Sequence, residues 1–368
     1  MRIAEFTLER YFAKWEFAVR HVLGASDVEP YRLDELLALA DADARHRWDS
    51  LTLSYTESLG LPALREEISR LYERVAPDDV ITFAGAEEGI YLTMQALLQP
   101  GDHAVVMWPS YQSLHEVARS TGASVTLMPL DPCDWSLDVD AVEKAMRPNT
   151  RVIVVNSPHN PTGAQLSAEQ LAQLVSIAER HGAHLFADEV YRLLEHDAPT
   201  LPNAADCSDR ALSLGVMSKS FGLAGLRIGW IATRDRELFA RLASLKDYTT
   251  ICSSAPSEIL ALIGLRAKER VLERSRTIVS GNLAALDEFF ANNADRFAWV
   301  RPRAGSTCFP KLLRHDADEF AAALVQSEGV LVVPASQFGY PENHFRVGYG
   351  RRDMPEALAR LEGFARDL

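Results

Sequence analysis

Apolar residues occur in short blocks along most of this chain, rather than alternating with polar ones. From about residue 60 such blocks recur between turn residues: VITFAG, HAVVMWP, SVTLMPL, RVIVVNSP, AHLFADEV and RALSLGVM. Strands without polar alternation are buried on both faces, which is typical of a parallel sheet covered by helices. The pattern therefore predicts an α/β fold with a mainly parallel sheet and helices on both sides.

Stretches with helical periodicity separate several of these blocks. ALREEISRLYERV, EEGIYLTMQALL and SAEQLAQLVSIAERHG carry apolar residues at intervals of three and four. The last of them begins with Ser167 as the N-cap and ends at Gly182. In such α/β sheets ligands bind beyond the carboxyl ends of the strands. The residues that follow each apolar block are therefore the first candidates for chemistry.

The two ends of the chain have different patterns. The first 45 residues are aromatic and charged, and the cluster of Tyr11, Phe12, Trp15 and Phe17 suits an amphipathic helix, an arm laid over a neighbour, or plain core packing. From about residue 285, short runs such as FAWV, STCFPKLL, GVLVVPA and HFRVGYG predict a smaller α+β domain, with one long helix around SEILALIGLRAKERVLERSRTIVSGNLAALDEFF as the link. We expect an arm and part of the small domain in 1–45, a large domain in 46–280 and the small domain in 281–368.

The charge balance narrows the function classes. The net charge is -13, with 51 acidic residues against 38 basic ones, which disfavours binding to nucleic acids and to anionic membranes. No apolar stretch approaches the ~18 residues of a membrane span. Four widely spaced cysteines (Cys133, Cys207, Cys252, Cys308) indicate neither a disulfide framework nor a metal site. We expect a cytoplasmic enzyme with small-molecule substrates, no metal, no nucleic acid and no membrane.

Chemically versatile residues follow the predicted strands in turn. Each group alone has an ordinary structural explanation, because a glycine turn is common and most lysines lie on the surface. The ordered combination on an α/β pattern is much harder to explain that way. The groups are Gly85-Ala86-Glu87, Pro109-Ser110-Tyr111, NSPHNPTG from Asn156 to Gly163, Asp188-Glu189-Val190-Tyr191, Ser218 to Gly222, and then Arg227.

These motifs resemble those of the fold-type I pyridoxal-phosphate enzymes, specifically the class I/II aminotransferases of the aspartate aminotransferase superfamily. NSPHNPTG, ADEVY and SKSFGLAGLRIGW carry the resemblance, and SYTESLGLPALRE, FAGAEEG and FRVGYG support it in family order. The stretch ERYFAKWEF…GASDVEPYRLDELL is loosely similar to capreomycidine-synthase-like members. The resemblance implies a seven-stranded sheet, pyridoxal 5′-phosphate as the cofactor and a homodimer with shared sites.

The resemblance also implies roles around the cofactor ring. Lys219 matches the lysine that forms the Schiff base and then moves the proton from the substrate Cα. Asp188 matches the carboxylate that keeps the ring nitrogen protonated. Asn160 and Tyr191 match the donors to the phenolic oxygen, and Asn160 is held between two prolines.

A second group matches the residues that hold the phosphate. Gly85 and the backbone amides of Ala86 and Glu87 open a helix whose positive end faces an anion. Arg227 and Ser218 are expected to add a charged and a hydroxyl contact. Many relatives carry a serine where this chain has Val216, which leaves the full set of phosphate contacts open.

Three further positions complete the expected site. Tyr111 matches the aromatic residue that stacks on the ring, and Trp108 is the competing candidate. Arg346, together with Asn160, matches the group that binds the substrate α-carboxylate. Tyr55 matches a tyrosine that reaches the phosphate of the partner subunit.

The resemblance leaves the reaction open. Transamination between an amino acid and a 2-oxo acid dominates the superfamily and is the default expectation. β-Elimination and cyclisation use the same groups and are the alternative. A cofactor-binding sensor is the third reading, and the acidic charge and the lack of a basic N-terminal extension disfavour it.

Overall fold

The computed structural model describes residues 3–196 and 198–366. Its centre is a seven-stranded sheet in the order β1-β7-β6-β5-β4-β2-β3, in which all neighbours are parallel except the two pairs that involve β7. The α/β fold with a mainly parallel seven-stranded sheet is thus confirmed. The strands are β1 Val80–Phe83, β2 His103–Trp108, β3 Ser124–Pro129, β4 Thr150–Asn156, β5 His184–Asp188, β6 Ala211–Val216 and β7 Gly229–Thr233.

Helices cover both faces of this sheet, and buried apolar clusters lie on each side of it. They include α8, whose first turn is capped as predicted: the Ser167 side chain accepts a hydrogen bond from the backbone of Gln170. The helices are α1 Thr7–Trp15, α2 Leu33–Leu37, α3 Ala42–Asp49, α4 Pro62–Ser69, α5 Ala86–Leu97, α6 Ser113–Ser120, α7 Val139–Ala145, α8 Ala168–Arg180, α9 Ala204–Cys207, α10 Arg236–Lys246, α11 Ala255–Arg266, α12 Lys268–Asn292, α13 Ala317–Glu328 and α14 Met354–Arg366.

The C-terminal part forms two small sheets against α12, α13 and α14. Its strands are β8 Phe297–Ala298, β9 Thr307–Cys308, β10 Lys311–Leu312, β11 Val333–Pro334 and β12 Phe345–Gly348; β10 pairs with β8, and β12 lies between β11 and β9. The N-terminal segment joins this part, because the backbone of Gly24 donates to Leu331 and that of Gly348 donates to Leu23. The domain boundaries given above stay a prediction.

Three local features differ from the sequence pattern. The helix expected over 63–75 ends at Ser69, because the backbone amides of Glu73 and Arg74 donate to the buried carboxylate of Asp206 instead of continuing it. The long link is two helices, α11 and α12, which meet at Ala267. The antiparallel strand β7 is not among the predicted apolar runs.

The parallel strands bring the predicted motifs to one edge of the sheet. Asn156 and Asp188, the last residues of β4 and β5, lie directly opposite each other. Val216 ends β6 next to them. The segments that follow these three strands carry Asn160, Tyr191 and Lys219, so the sheet topology alone gathers them at one place.

Candidate active site

A cavity of about 580 Å³ opens at the carboxyl edge of the sheet, between the sheet and the N-terminal segment. Ten of the residues predicted from the sequence line it: Ala86, Glu87, Tyr111, Asn160, Asp188, Tyr191, Ser218, Lys219, Arg227 and Arg346.

Asp188 lies at the bottom of this cavity and is buried. Its carboxylate accepts one hydrogen bond within the described chain, from the backbone of Val190 at 3.2 Å. Burial raises the pKa of Asp188 to about 7, and the Val190 amide and the charge of Lys219 counteract the shift in part. A buried carboxylate with so few donors is suited to a cationic ligand group.

Lys219 extends into the same space from the turn after β6. Its Nζ donates to Ser26 Oγ at 2.8 Å and lies 5.5 Å from the centre of the Tyr191 ring. No carboxylate of the described residues forms an ion pair with it. The amine is therefore accessible from the cavity and is held by a neutral hydroxyl.

The loop after β4 is held firmly before it reaches Asn160. Asn156 donates to the backbone oxygen of Asp188 at 2.9 Å and accepts from the backbone of Asn160 at 2.7 Å. His159 connects the loop to Pro109 O at 2.7 Å, and burial lowers the pKa of His159 to about 4, so it is neutral near pH 7. The side chain of Asn160 consequently has a defined position.

Arg346 is buried on β12 and reaches the cavity across the sheet edge. Its guanidinium donates to Gly24 O at 2.8 and 3.1 Å and to Asn160 Oδ1 at 3.0 Å. No Asp or Glu of the described residues forms an ion pair with this buried cation. A guanidinium has five N–H groups, so two remain, one on each terminal nitrogen. They suit a bound carboxylate.

The hydroxyl of Tyr191 is buried and has no hydrogen-bond partner within the described chain. Buried hydroxyl groups almost always have a partner, because an unmade hydrogen bond costs about 1–3 kcal/mol. Since Tyr191 lines the cavity, the missing partner is expected on a ligand.

Helix α5 presents its N-terminus to the cavity as predicted. Gly85 has φ +88°, and a side chain there would collide with the guanidinium of Arg227. A Cβ on Gly229 would lie 2.6 Å from Gly85 C and 2.7 Å from Ala86 N. Close glycine packing thus places the free amides of α5 beside Arg227, as an anion site requires.

Tyr111 and not Trp108 lines the cavity. Tyr111 donates to Glu9 Oε1 at 2.8 Å and packs on Phe6 at 5.0 Å, whereas Trp108 packs on Tyr340 outside the cavity. The arrangement favours Tyr111 as the stacking residue. Its contacts show that α1 forms part of the wall.

The single chain does not bring Tyr55 to the cavity. Its side chain is 85% exposed, so the predicted contact with a phosphate needs a second copy and stays a prediction. Val216 lines the cavity with an apolar side chain, and no hydroxyl is available at that position.

Helix α1 and the segment after it add residues that the motifs did not predict. Glu9 and Phe12 face the cavity from α1, Glu16 from the position just after the helix, and Ser26 and Asp27 from the next segment. In the sequence, the indication of this wall was the spacing of three and four residues between Glu9, Phe12 and Glu16, which places them on one helical face.

Of the aromatic residues clustered near the N-terminus, Phe12 lines the cavity, whereas Tyr11 and Trp15 do not. Tyr11 donates to Val332 O at 2.9 Å.

The comparisons with known proteins agree with this geometry. The family model described as aminotransferase class I and II matches residues 27–361. The chain belongs to the class I and II aminotransferase family. Capreomycidine synthase from Streptomyces vinaceus is 32% identical over 96% of this chain and 92% of that protein. Aspartate aminotransferase from Geobacillus stearothermophilus is 28% identical over 84% of this chain and 83% of that protein.

Solved structures of this family superpose closely on the chain. A PLP-dependent aminotransferase from Streptococcus suis has a TM-score of 0.94 and 30% identity, covering 100% of this chain and 99% of that one. The PLP-dependent cyclase OrfR has a TM-score of 0.91 and 28% identity, covering 100% and 98%. No helix in the described ranges is long and apolar enough to cross a membrane.

Members of the class I and II aminotransferase family use pyridoxal 5′-phosphate, and this cavity fits that group. The amides of α5 with Arg227 suit its phosphate, and the unpartnered hydroxyl of Tyr191 suits its phenolic oxygen. Asp188 supplies a buried carboxylate for the ring nitrogen, and Lys219 supplies an accessible amine.

Proposed function

We propose that this enzyme transfers an amino group between an amino acid and a 2-oxo acid, with pyridoxal phosphate attached to Lys219. The observation that carries the proposal is the meeting of Lys219, Asp188 and Arg346 in one cavity. Each supplies a different requirement: an amine, a buried carboxylate and a buried cation that has no ion-pair partner among the described residues. Family relatives that are aminotransferases support it further.

The cofactor, when bound, supplies an electron sink for the charge that develops at the substrate Cα. Asp188 keeps the ring nitrogen protonated by offering a carboxylate in a buried place, where an ion pair is strong. Asn160 and Tyr191 donate to the phenolic oxygen. The amides of Ala86 and Glu87, after Gly85, hold the phosphate.

Arg227 and Ser218 complete the phosphate contacts, and Tyr111 stacks on the ring. Arg346 binds the substrate α-carboxylate through its two remaining N–H groups, and this fixes the orientation of the Cα–H bond. Once the substrate amine has displaced it from the cofactor, the Nζ of Lys219 would move the proton from the substrate Cα to the aldehyde carbon of the cofactor. In the second half of the reaction it would move a proton from that carbon to the Cα of the amino acid formed from the 2-oxo acid.

We further infer a homodimer in which Tyr55 of each chain completes the site of the other. Leu53, Tyr55, Tyr248 and Ile251 are exposed large apolar or aromatic side chains, which are typical of an interface when they are contiguous. Tyr55 then adds a hydroxyl to the phosphate contacts where Val216 offers none.

Cofactor attachment tests the proposal directly. Incubation with pyridoxal phosphate, borohydride reduction and peptide mapping should locate the cofactor on Lys219. Lys219→Ala should abolish the reduced adduct, and Lys144→Ala, at an exposed lysine of α7, should keep it. Amino acid addition should then convert the cofactor to its amine form. A colourless protein that borohydride does not modify contradicts the proposal.

A second candidate is lyase or cyclase chemistry on an amino acid. It is favoured by the 32% identity to capreomycidine synthase over almost the whole chain and by the cyclase OrfR among the matching structures. Release of ammonia, or a cyclic product without the amine form of the cofactor, favours this candidate over transamination.

A further inference from the structure

The cavity contains more acidic groups than the proposed reaction uses. These extra groups bear on the charge of the substrate side chain that the same site accepts. Lys219, Arg227, Arg346 and Asp188 have assigned roles. Of the remaining charged residues that line it, four are acidic and one is basic: Glu9, Glu16, Asp27 and Glu87 against Arg10. This inference rests on the proposed function and concerns the substrate side chain.

Glu9 of α1 and Glu16, which directly follows that helix, lie next to the expected α-carboxylate position. The guanidinium of Arg346 is 5.6 Å from the centre of the Phe12 ring. Glu9 lies three residues before Phe12 and Glu16 four residues after it, so all three share one face of the segment, about one ~5.4 Å turn apart. A substrate held by Arg346 therefore has carboxylates within reach of its side chain.

Of the three acidic residues that line the cavity from the N-terminal segment, Glu9, Glu16 and Asp27, Glu16 is the one without a partner among the described residues. Glu9 accepts from Tyr111, and Asp27 pairs with Arg351 at 2.7 Å. Within 3–196 and 198–366, the half-buried carboxylate of Glu16 makes neither a hydrogen bond nor an ion pair. Burial and the nearby charges of Asp27 and Glu9 raise its pKa, while Arg351 and Lys219 counteract the shift.

The degree of burial determines whether the acidic residues or Arg10 dominate the charge of the cavity. Arg10 is exposed, so water and salt screen it, whereas Glu16 is partly withdrawn from solvent. Glu87 is partly buried too, but burial raises its pKa to about 7, so its carboxyl is only partly ionised near neutral pH and adds less negative charge to this wall. This acidic wall borders a ligand site, because the buried hydroxyl of Tyr191, which has no partner among the described residues and is expected to bind the cofactor, lines the same cavity.

We propose that the enzyme selects an amino acid with a positively charged side chain, and that Glu16 binds the distal cation. A cationic group there gives Glu16 the partner it lacks and relieves the repulsion from Asp27 and Glu9. Dicarboxylic amino acids place a second negative charge against the same wall and are disfavoured.

Arginine and citrulline form a closely matched test pair, because they have nearly the same shape and differ in side-chain charge. The holoenzyme is titrated with arginine, citrulline, ornithine and aspartate, and binding is followed by the absorbance of the bound cofactor. We expect arginine or ornithine to bind at least about tenfold more tightly than citrulline and aspartate, the usual effect of one charge-assisted hydrogen bond.

Glu16→Gln should remove most of this preference and leave the affinity for citrulline within about twofold. Glu5→Gln, at an exposed glutamate just before α1, is the matched control and should keep the preference. Equal affinity for arginine and citrulline in the unmodified enzyme, tightest binding of aspartate, or no binding of any of the four overturns the inference without reference to a variant.

Whether the cofactor is attached distinguishes a failure of the substrate inference from a failure of the proposed function. Mapping the reduced cofactor to Lys219 before the titration checks the proposed function by itself. If the cofactor is attached and the charge preference is absent, the substrate class is wrong and the proposed function stands. If no cofactor is attached to Lys219, both are overturned.

Discussion

Arg346 donates to the side-chain oxygen of Asn160 at 3.0 Å, across 186 positions of sequence. This contact orients the Asn160 amide, because an oxygen that accepts from a guanidinium leaves the NH₂ group on the other side. The same contact connects the expected substrate-binding residue with a residue expected on the phenolic oxygen. We therefore expect substrate binding and cofactor tuning to be coupled through this hydrogen bond.

Arg346→Lys should lower kcat/KM about 100-fold, chiefly by raising KM. Lysine cannot supply the paired N–H groups, and it cannot keep all the contacts to Gly24 and Asn160. Steady-state kinetics with a saturating 2-oxo acid measures the effect. Arg20→Lys, at an exposed pair with Glu356, is the control. An unchanged KM for Arg346→Lys would remove this residue from substrate binding.

Asp188→Asn should stabilise the apoprotein while removing activity from the holoenzyme. The folded-state pKa of Asp188 is raised to about 7, against about 4 in the unfolded chain. Between these values the unfolded state binds fewer protons, so this carboxyl makes the apoprotein less stable as the pH rises from about 4 to about 7. The stability gained by Asp188→Asn should grow across that window, up to about 4 kcal/mol.

Urea unfolding of the apoprotein at pH 4.5, 6 and 8 checks this pH dependence. Asp140→Asn, at an exposed position of α7, should show no comparable trend. A gain for Asp188→Asn that is the same at all three pH values argues against the assigned cause.

Gly229→Ala should weaken pyridoxal phosphate binding at least about tenfold. The added methyl would lie 2.6–2.7 Å from the backbone of Gly85 and Ala86, so the N-terminus of α5 must shift, at a cost of about 1–3 kcal/mol. Equilibrium dialysis measures the affinity. Gly225→Ala, where a Cβ meets no atom within 4 Å, should bind the cofactor normally. Equal affinities for the two variants would show that the packing of Gly229 against Gly85 and Ala86 is not needed for cofactor binding.

Mixing inactive Tyr55→Ala and Lys219→Ala chains should restore activity. A mixed dimer contains one site with both Lys219 and the partner's Tyr55 intact. Recovery of about a quarter of the normal specific activity is expected for random exchange of two chains. Absence of any recovery, when mixed dimers are shown to form by mass spectrometry, means that Tyr55 does not act across an interface.

Lys246→Met should destabilise the fold by about 3 kcal/mol, because it leaves the buried Glu258 without its nearby cation. Lys246 is fully buried and donates to Ser58 O, and Glu258 accepts from Leu61 at 3.1 Å. Lys246 and Glu258 thus fix the backbone at Ser58 and Leu61, just after Tyr55 in the sequence. Chemical unfolding measures the loss. The double change Lys246→Met with Glu258→Gln should recover part of it, and additive losses would contradict the coupling.

Much of the site could be predicted from the sequence because it depends on local order along the chain. A parallel sheet places the ends of its strands at one edge, so Asp188, Asn160 and Lys219 were expected to meet once their strands were recognised. The capped start of α8 at Ser167 followed from local chemistry in the same way. Short-range patterns predict where strands and helix caps lie, because the burial and backbone hydrogen bonding of each residue depend largely on its neighbours in the sequence.

The tertiary structure alone decided which distant segments close the cavity. Ser26 meets Lys219 across 193 positions, and Glu16 faces the same space from the end of α1. No local pattern encodes such contacts, since they depend on how the N-terminal segment packs across the sheet edge and against β12. The strand β7 shows the same limit: its antiparallel direction results from pairing with β1 and β6 in space. The chemistry of the cofactor site is therefore determined by sequence order, and the charge around the substrate by long-range packing.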